Sequence, residues 1–219
     1  MAIARDSITL SAQSVSSSRT TAHTTTGSNP ILVCFIYREN NGTISGNVTY
    51  NGVALTYVGT ATVNSYSPAH NFDCYILINP ATGTNNLAYT LSGSVYNFCW
   101  IATYTEAQQS GQPDASSFPA GTTGTSKSTN ITTVAPNAWI VGVVLADNGG
   151  TITATGAATI QGSTSVAGMR FLDSNGPIVT PASTAFGFST TVSGGLGLPV
   201  ISFAPSVAAV NTTDFFHMM

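Results

Sequence analysis

Charge is what this 219-residue chain has least of. Lys and Arg number 5, Asp and Glu 8, and charged residues make up 6% of the sequence, against about 25% in an ordinary soluble domain. Arg5, Arg19, Arg38, Lys127 and Arg170 are scattered. No basic run is available to neutralise successive phosphates, which argues against nucleic-acid binding. A net charge of −3 gives copies of the chain little mutual repulsion. Long apolar runs are missing too. The longest, "AWIVGVVLA" from Ala138 to Ala146, has strand length and falls short of the roughly 18 residues of a transmembrane helix. No membrane insertion is expected. "MAIARDSITLSAQSV" lacks the apolar run of about 7–15 residues that a secretory signal needs, so synthesis in a host cytoplasm is expected.

Cysteine and histidine are also sparse, with 3 of each. Cys34, Cys74 and Cys99 lie in "ILVCFIY", "FDCYILI" and "NFCWIATY", and read as buried free thiols acting as small hydrophobes. His23, His70 and His217 are far apart, and no C-x-x-C occurs. Neither a zinc site nor a cofactor is expected.

Ser, Thr, Asn and Gly stand where charge is missing. "NVTYNGVALTYVG" places Asn51-Gly52 between two runs of alternating apolar and polar residues, the signature of a hairpin with a type I′ turn. The same grammar recurs at residues 7–11, 30–37, 46–50, 53–58, 73–79, 86–91, 98–105, 138–145, 151–159, 166–172, 183–191 and 200–203. No window carries the 3.6-residue apolar period of a helix, although residues 105–114 could hold one helical turn. Residues 12–28 and 108–130 read as irregular, and no internal repeat is evident. About a dozen short strands predict an all-β antiparallel sandwich of jelly-roll type. Residues 1–219 read as a single domain, with an N-terminal segment (1–28) and a C-terminal tail (204–219) available for assembly.

No catalytic constellation stands out. Glu39 and Glu106 follow strands and could meet at one end of a sandwich, but a glycosidase pair also needs a cleft. "HNFD" sets His70 three residues before Asp73 without a G-x-S-x-G serine. Asp147 and Asp173 lie in turn-like "DNGG" and "DSNG", with no bidentate Glu to complete a calcium loop. Sequons at Asn41, Asn47, Asn130 and Asn211 fit a chain rich in Asn and Thr. Tyr66, Phe72 and Phe118 lie in or near loops and are the candidates for stacking on a sugar ring. Trp100 and Trp139 read as core. Phe215, Phe216, Met218 and Met219 form an apolar end that would gain from contact with the sandwich or with a neighbouring subunit.

"SNPILVCF", "VTYNGVALTYVG", "CYILINPATGTNNLAYTLSG", "FCWIATY" and "AWIVGVVLA" together resemble a β-sandwich module of phage structural proteins and bacterial surface proteins, similar in kind to concanavalin-like jelly rolls. The resemblance runs from Ile8 to Phe203 and is most specific in residues 50–56 and 80–93. It implies a fold and no enzyme, and it brings no catalytic residue.

The leading expectation is therefore a non-enzymatic virion structural protein of a tailed phage, in capsid decoration or at the head or tail surface. Its partners would be copies of itself and other virion proteins. The alternatives are a carbohydrate-binding or adhesion module that meets cell-surface glycans, and a subunit of an extracellular filament. A hydrolase would require a cleft gathering His70 or Glu39 with another carboxylate.

Overall fold

"ILVCFIY" and "AWIVGVVLA" are apolar at every position, the pattern of strands covered on both faces. The computed structural model describes residues 1–39, 42–64, 69–147, 149–166 and 168–207. Its sixteen strands among these residues are β1 (Ala4–Leu10), β2 (Ser14–Thr25), β3 (Ile31–Glu39), β4 (Ile44–Tyr50), β5 (Val53–Ala54), β6 (Thr56–Val63), β7 (His70–Ile78), β8 (Gly83–Thr105), β9 (Ala115–Ser117), β10 (Thr122–Thr132), β11 (Trp139–Ala146), β12 (Ile152–Gly156), β13 (Thr159–Val166), β14 (Met169–Asp173), β15 (Ser183–Gly197) and β16 (Val200–Phe203). β1 to β8 form one antiparallel sheet and β9 to β16 a second. The sheets pack face to face as a β-sandwich. Phe35, Trp100 and Tyr104 of the first share a central core with Val141, Phe171 and Phe203 of the second. Burying each large apolar side chain there contributes about 1.5–3 kcal/mol.

The length of β8 explains the outer layers. Its 23 residues would extend about 75 Å if straight. Instead the strand bends near Ser92–Ser94. Its C-terminal half pairs with β1 and β3, and its N-terminal half with β2 and β4. At the bend the β2 register jumps from Ser16↔Val95 to Ser18↔Thr90. The N-terminal half, with β2 and β4, becomes a flap folded onto the sheet's outer face. Val48, Tyr50, Leu87 and Tyr89 of the flap pack on Leu32, Cys34 and Ile101 in a second core. The second sheet repeats the device. Ile131, Ile152, Phe186 and Phe188, from β10, β12 and β15, cover Ile140, Val144 and Leu172 in a third core.

The two sheets are copies of one unit. β1, β2, β3, β4, β6 and β7 correspond to β9, β10, β11, β12, β13 and β14. The single strand β8 corresponds to β15 and β16, which are separated at Leu198-Pro199. The register jump of β2 recurs in β10, from Gly124↔Gly194 to Ser126↔Ser189. Hydrogen bonds are duplicated as well. Asp6 accepts from Thr26 N and Thr103 Oγ1, and Asp114 accepts from Val134 N and Ser202 Oγ. Ser92 N donates to Thr43 O, and Thr191 N to Thr151 O. Asn29 and Asn137 both adopt positive φ, 46° and 59°. The sequence agrees once the pairing is known. "NPILVCFIYRENNGTI" aligns without a gap on "NAWIVGVVLADNGGTI", matching Val33 with Val141, Gly42 with Gly150, Thr43 with Thr151 and Ile44 with Ile152.

The repeat corrects the sequence reading, as do several elements. Residues 14–25 form a strand with one register jump, and residues 108–130 contain β9 and most of β10. Residues 86–91 and 98–105, expected as separate strands, are both part of β8, and "SGS" between them is its bend. Residues 151–159 hold β12 and the first residue of β13, and no helical turn forms in residues 105–114. The Asn51-Gly52 hairpin is present, with φ of 49° and 78°. All three cysteines are free and buried, and both tryptophans are buried in the central core.

Candidate functional site

Alternation along β7 sends Phe72, Cys74 and Ile76 into the central core and Asp73 and Tyr75 to the opposite, outer face. β3 does the same with Arg38. β6 places Thr60 directly opposite Asp73 and Tyr57 opposite Tyr75. Thr43, at the start of the flap, closes the side. These residues line an open surface depression of about 290 Å³ between the first sheet and its flap.

The floor is an ion pair. Arg38 Nε donates to Asp73 Oδ2 at 2.5 Å, and Nη2 to Oδ1 at 3.2 Å. Arg38 Nη1 donates to Gly42 O at 2.7 Å. The two side chains are 12% and 3% exposed. Thr60 Oγ1 donates to Asp73 Oδ1, so its oxygen accepts from Tyr57 OH at 2.7 Å. The relay fixes a ring that is 55% exposed. The Tyr57 and Tyr75 centroids lie 5.4 Å apart. Burial, with the Asp73 carboxylate beside it, pushes the Tyr75 phenol up.

The second half shows that the fold does not demand this chemistry. Position for position, Arg38 corresponds to Ala146, Tyr75 to Leu172 and Tyr57 to Ile160, and Ile44 to Ile152. Those four second-half residues belong to or pack on an apolar core. Asp73 corresponds to Arg170. A buried ion pair is weak support for stability, and at the position of Arg38 the second half carries Ala146 inside its apolar core. Arg38, Asp73 and Tyr57 are thus replaced by residues of other chemistry in the second half, and in the first half they line one open depression.

The residues proposed from sequence fall elsewhere. Phe72 is a correction: it is 1% exposed, with ring centroids 5.4 Å from Tyr37 and 6.4 Å from Trp100, and has no face to offer a ligand. Phe118 is half-buried over Gly59, where an added Cβ would lie 2.6 Å from its ring. Tyr66, Phe215, Phe216, Met218 and Met219 lie outside the described residues. Glu39 ends β3, whereas Glu106 accepts from Asn29 Nδ2 at 3.2 Å just before that strand begins. The two glutamates therefore lie toward opposite ends of β3. His70 is buried opposite Glu39 in register, and neither lines this depression. Among the described residues no group of three or more His, Cys, Asp or Glu is placed to hold a metal.

What reading by residue type missed was legible in principle. Arg38 and Asp73 are charges beside long apolar runs, in strands that are buried over most of their length, a costly arrangement that calls for a partner. No protein family, curated protein or solved structure was found to match this chain.

Proposed function

We propose that this chain is a non-enzymatic structural protein that works by surface contact, on the head or tail surface of a virion. The observation that carries the reading is the outer face of each flap. Thr20 and Thr24 of β2, Asn47 of β4 and Asn86 of β8 point outward on the first. Ser126, Asn130, Thr153 and Ser183 do so on the second. Both faces are broad, polar and uncharged at these outward positions. Contact between such faces desolvates no ion and orders only short side chains.

Face contact is favoured over strand addition at the long edges. β2 and β10 each pair on one side only among the described residues. They bury Arg19 and Lys127 at corresponding positions, and inward-pointing charge is a device that guards an edge against further pairing. The virion setting is supported by the charge-poor surface and by the resemblance to phage modules.

Sedimentation of the purified chain over a wide concentration range tests the reading. Reversible self-association, weakened by Thr20→Lys with Asn86→Lys, is the expected result. A monomer at every concentration argues against it, as does a neighbourhood of genes with no capsid or tail protein.

A further inference from the structure

We propose that the depression formed by Arg38, Asp73, Thr60 and Tyr57 binds a single neutral sugar ring. The proposal stands apart from the assembly reading, and each can fail alone. Three features define the ligand. Tyr57 presents an exposed aromatic face held by its hydroxyl bond to Thr60, and a ring stacked there brings apolar C–H groups against the tyrosine. Beyond the bonds of the pair itself, Arg38 Nη1 and Nη2 each carry a second N–H and Asp73 Oδ2 a second lone pair, so the floor keeps charge-assisted donors and an acceptor side by side. Vicinal hydroxyls, each both donor and acceptor, match such a pair. The arginine is already neutralised by Asp73, so a phosphate or carboxylate gains no net attraction and would crowd the aspartate.

Size agrees with this assignment. The depression of about 290 Å³ is open to solvent, with room for one ring lying on the surface between Tyr57 and the ion pair. The site is also asymmetric. The second half fills the corresponding space with Ala146, Ile152 and Leu172, so one site per chain is expected.

The test is titration of the full chain with methyl glycosides of glucose, galactose, mannose and N-acetylglucosamine, followed by NMR of the tyrosine rings. Inorganic phosphate and N-acetylneuraminic acid serve as anionic comparisons. Saturable binding of at least one neutral glycoside is expected, with Kd on the order of 1 mM, as one ring of ordinary ligand efficiency gives. Tyr57→Ala, at an exposed position, should keep the unfolding temperature and weaken binding about tenfold or more. Asp73→Asn should weaken it to a similar degree. If Asp73→Asn does not fold, Tyr57→Ala decides alone. Binding by none of the four glycosides overturns the proposal. So does binding that Tyr57→Ala leaves unchanged, or preference for either anion.

Discussion

Asp173 is fully buried and accepts from Arg5 Nη1 at 2.8 Å, Tyr104 OH at 3.0 Å, Gln161 Nε2 at 2.7 Å and Asn175 N at 2.8 Å. Arg5 and Tyr104 come from the first half, so one carboxylate ties the halves across the central core. Asp173→Ala leaves the Tyr104 hydroxyl and the Gln161 amide without this acceptor. A loss of about 3 kcal/mol is expected, read as a fall in Tm of about 6–12 °C for a chain of this size. An unchanged Tm would contradict the assignment. His23 is the second residue whose setting makes a prediction. Ser7 Oγ donates to Thr24 O and Thr103 Oγ1 to Asp6 Oδ2. The His23 Nε2–H therefore donates toward these hydroxyl oxygens, and Nδ1 accepts from Thr9 Oγ1 at 2.8 Å. Burial holds the ring neutral and lowers its pKa from 6.5 to about 4, with the Asp6 carboxylate opposing the shift. Between these values the unfolded chain binds a proton that the folded chain refuses, so stability rises with pH. The contribution is complete above pH 6.5 and falls by about 3 kcal/mol as pH drops to 4. Denaturant titrations across that window should show the decline, and His23→Gln should flatten it. Ile131 occupies the corresponding buried position in the second half, where no such titration arises.

At the scale of elements, two glycines separate conformational cost from steric cost. Gly52 has φ of 78° and open space around an added Cβ. Gly52→Ala should therefore cost about 1 kcal/mol, the left-handed penalty alone. Gly156 also has positive φ, 66°, but its Cβ would lie 2.3 Å from Ala185 O. Gly156→Ala forces β12 away from β15 and should cost about 3 kcal/mol. Equal costs at the two sites would refute the distinction, which chemical unfolding of both variants can measure. These positions also mark what was legible. Asn51-Gly52 announces its hairpin because turn chemistry is local. "SVSSSRTTAHTT" announces nothing, because β2 has few apolar residues to set a period. Its strand state comes from β8, to which it pairs from Ser14↔Asn97 to Thr25↔Gly83. β8 shows the reverse. "SGS" has turn composition, yet the chain only bends there, since β2 pairs with β8 on both sides of it. The depression escaped for a related reason. Loop position singles out Tyr66 and Phe118, whereas Tyr57, Arg38 and Asp73 are strand residues gathered by register.

For the whole molecule, duplication and a shared core make a joint prediction. Each half closes its own outer core, the first with Leu87 and Tyr89, the second with Phe186 and Phe188. Neither half closes its inner face. The first would leave Phe35, Phe98, Trp100 and Tyr104 uncovered, and the second Val141, Val143, Phe171 and Phe203. An apolar sheet face of that extent is not tolerated in water by an isolated chain. Arg5 and Tyr104 would also lose Asp173. Cutting the chain between Gln108 and Asp114 breaks no named strand, so the fragments keep every ladder of their own sheets. Expressed separately, each fragment should aggregate or unfold without a cooperative transition. Expressed together, they should form a soluble one-to-one complex that unfolds in a single transition. The second fragment's Asp173 supplies a control, because Asp173→Ala should weaken the complex more than Gly52→Ala, which lies far from the shared face. A first fragment that stays soluble and unfolds cooperatively alone would show that the unit is self-sufficient. The central core would then be docking between finished domains and not the completion of one fold.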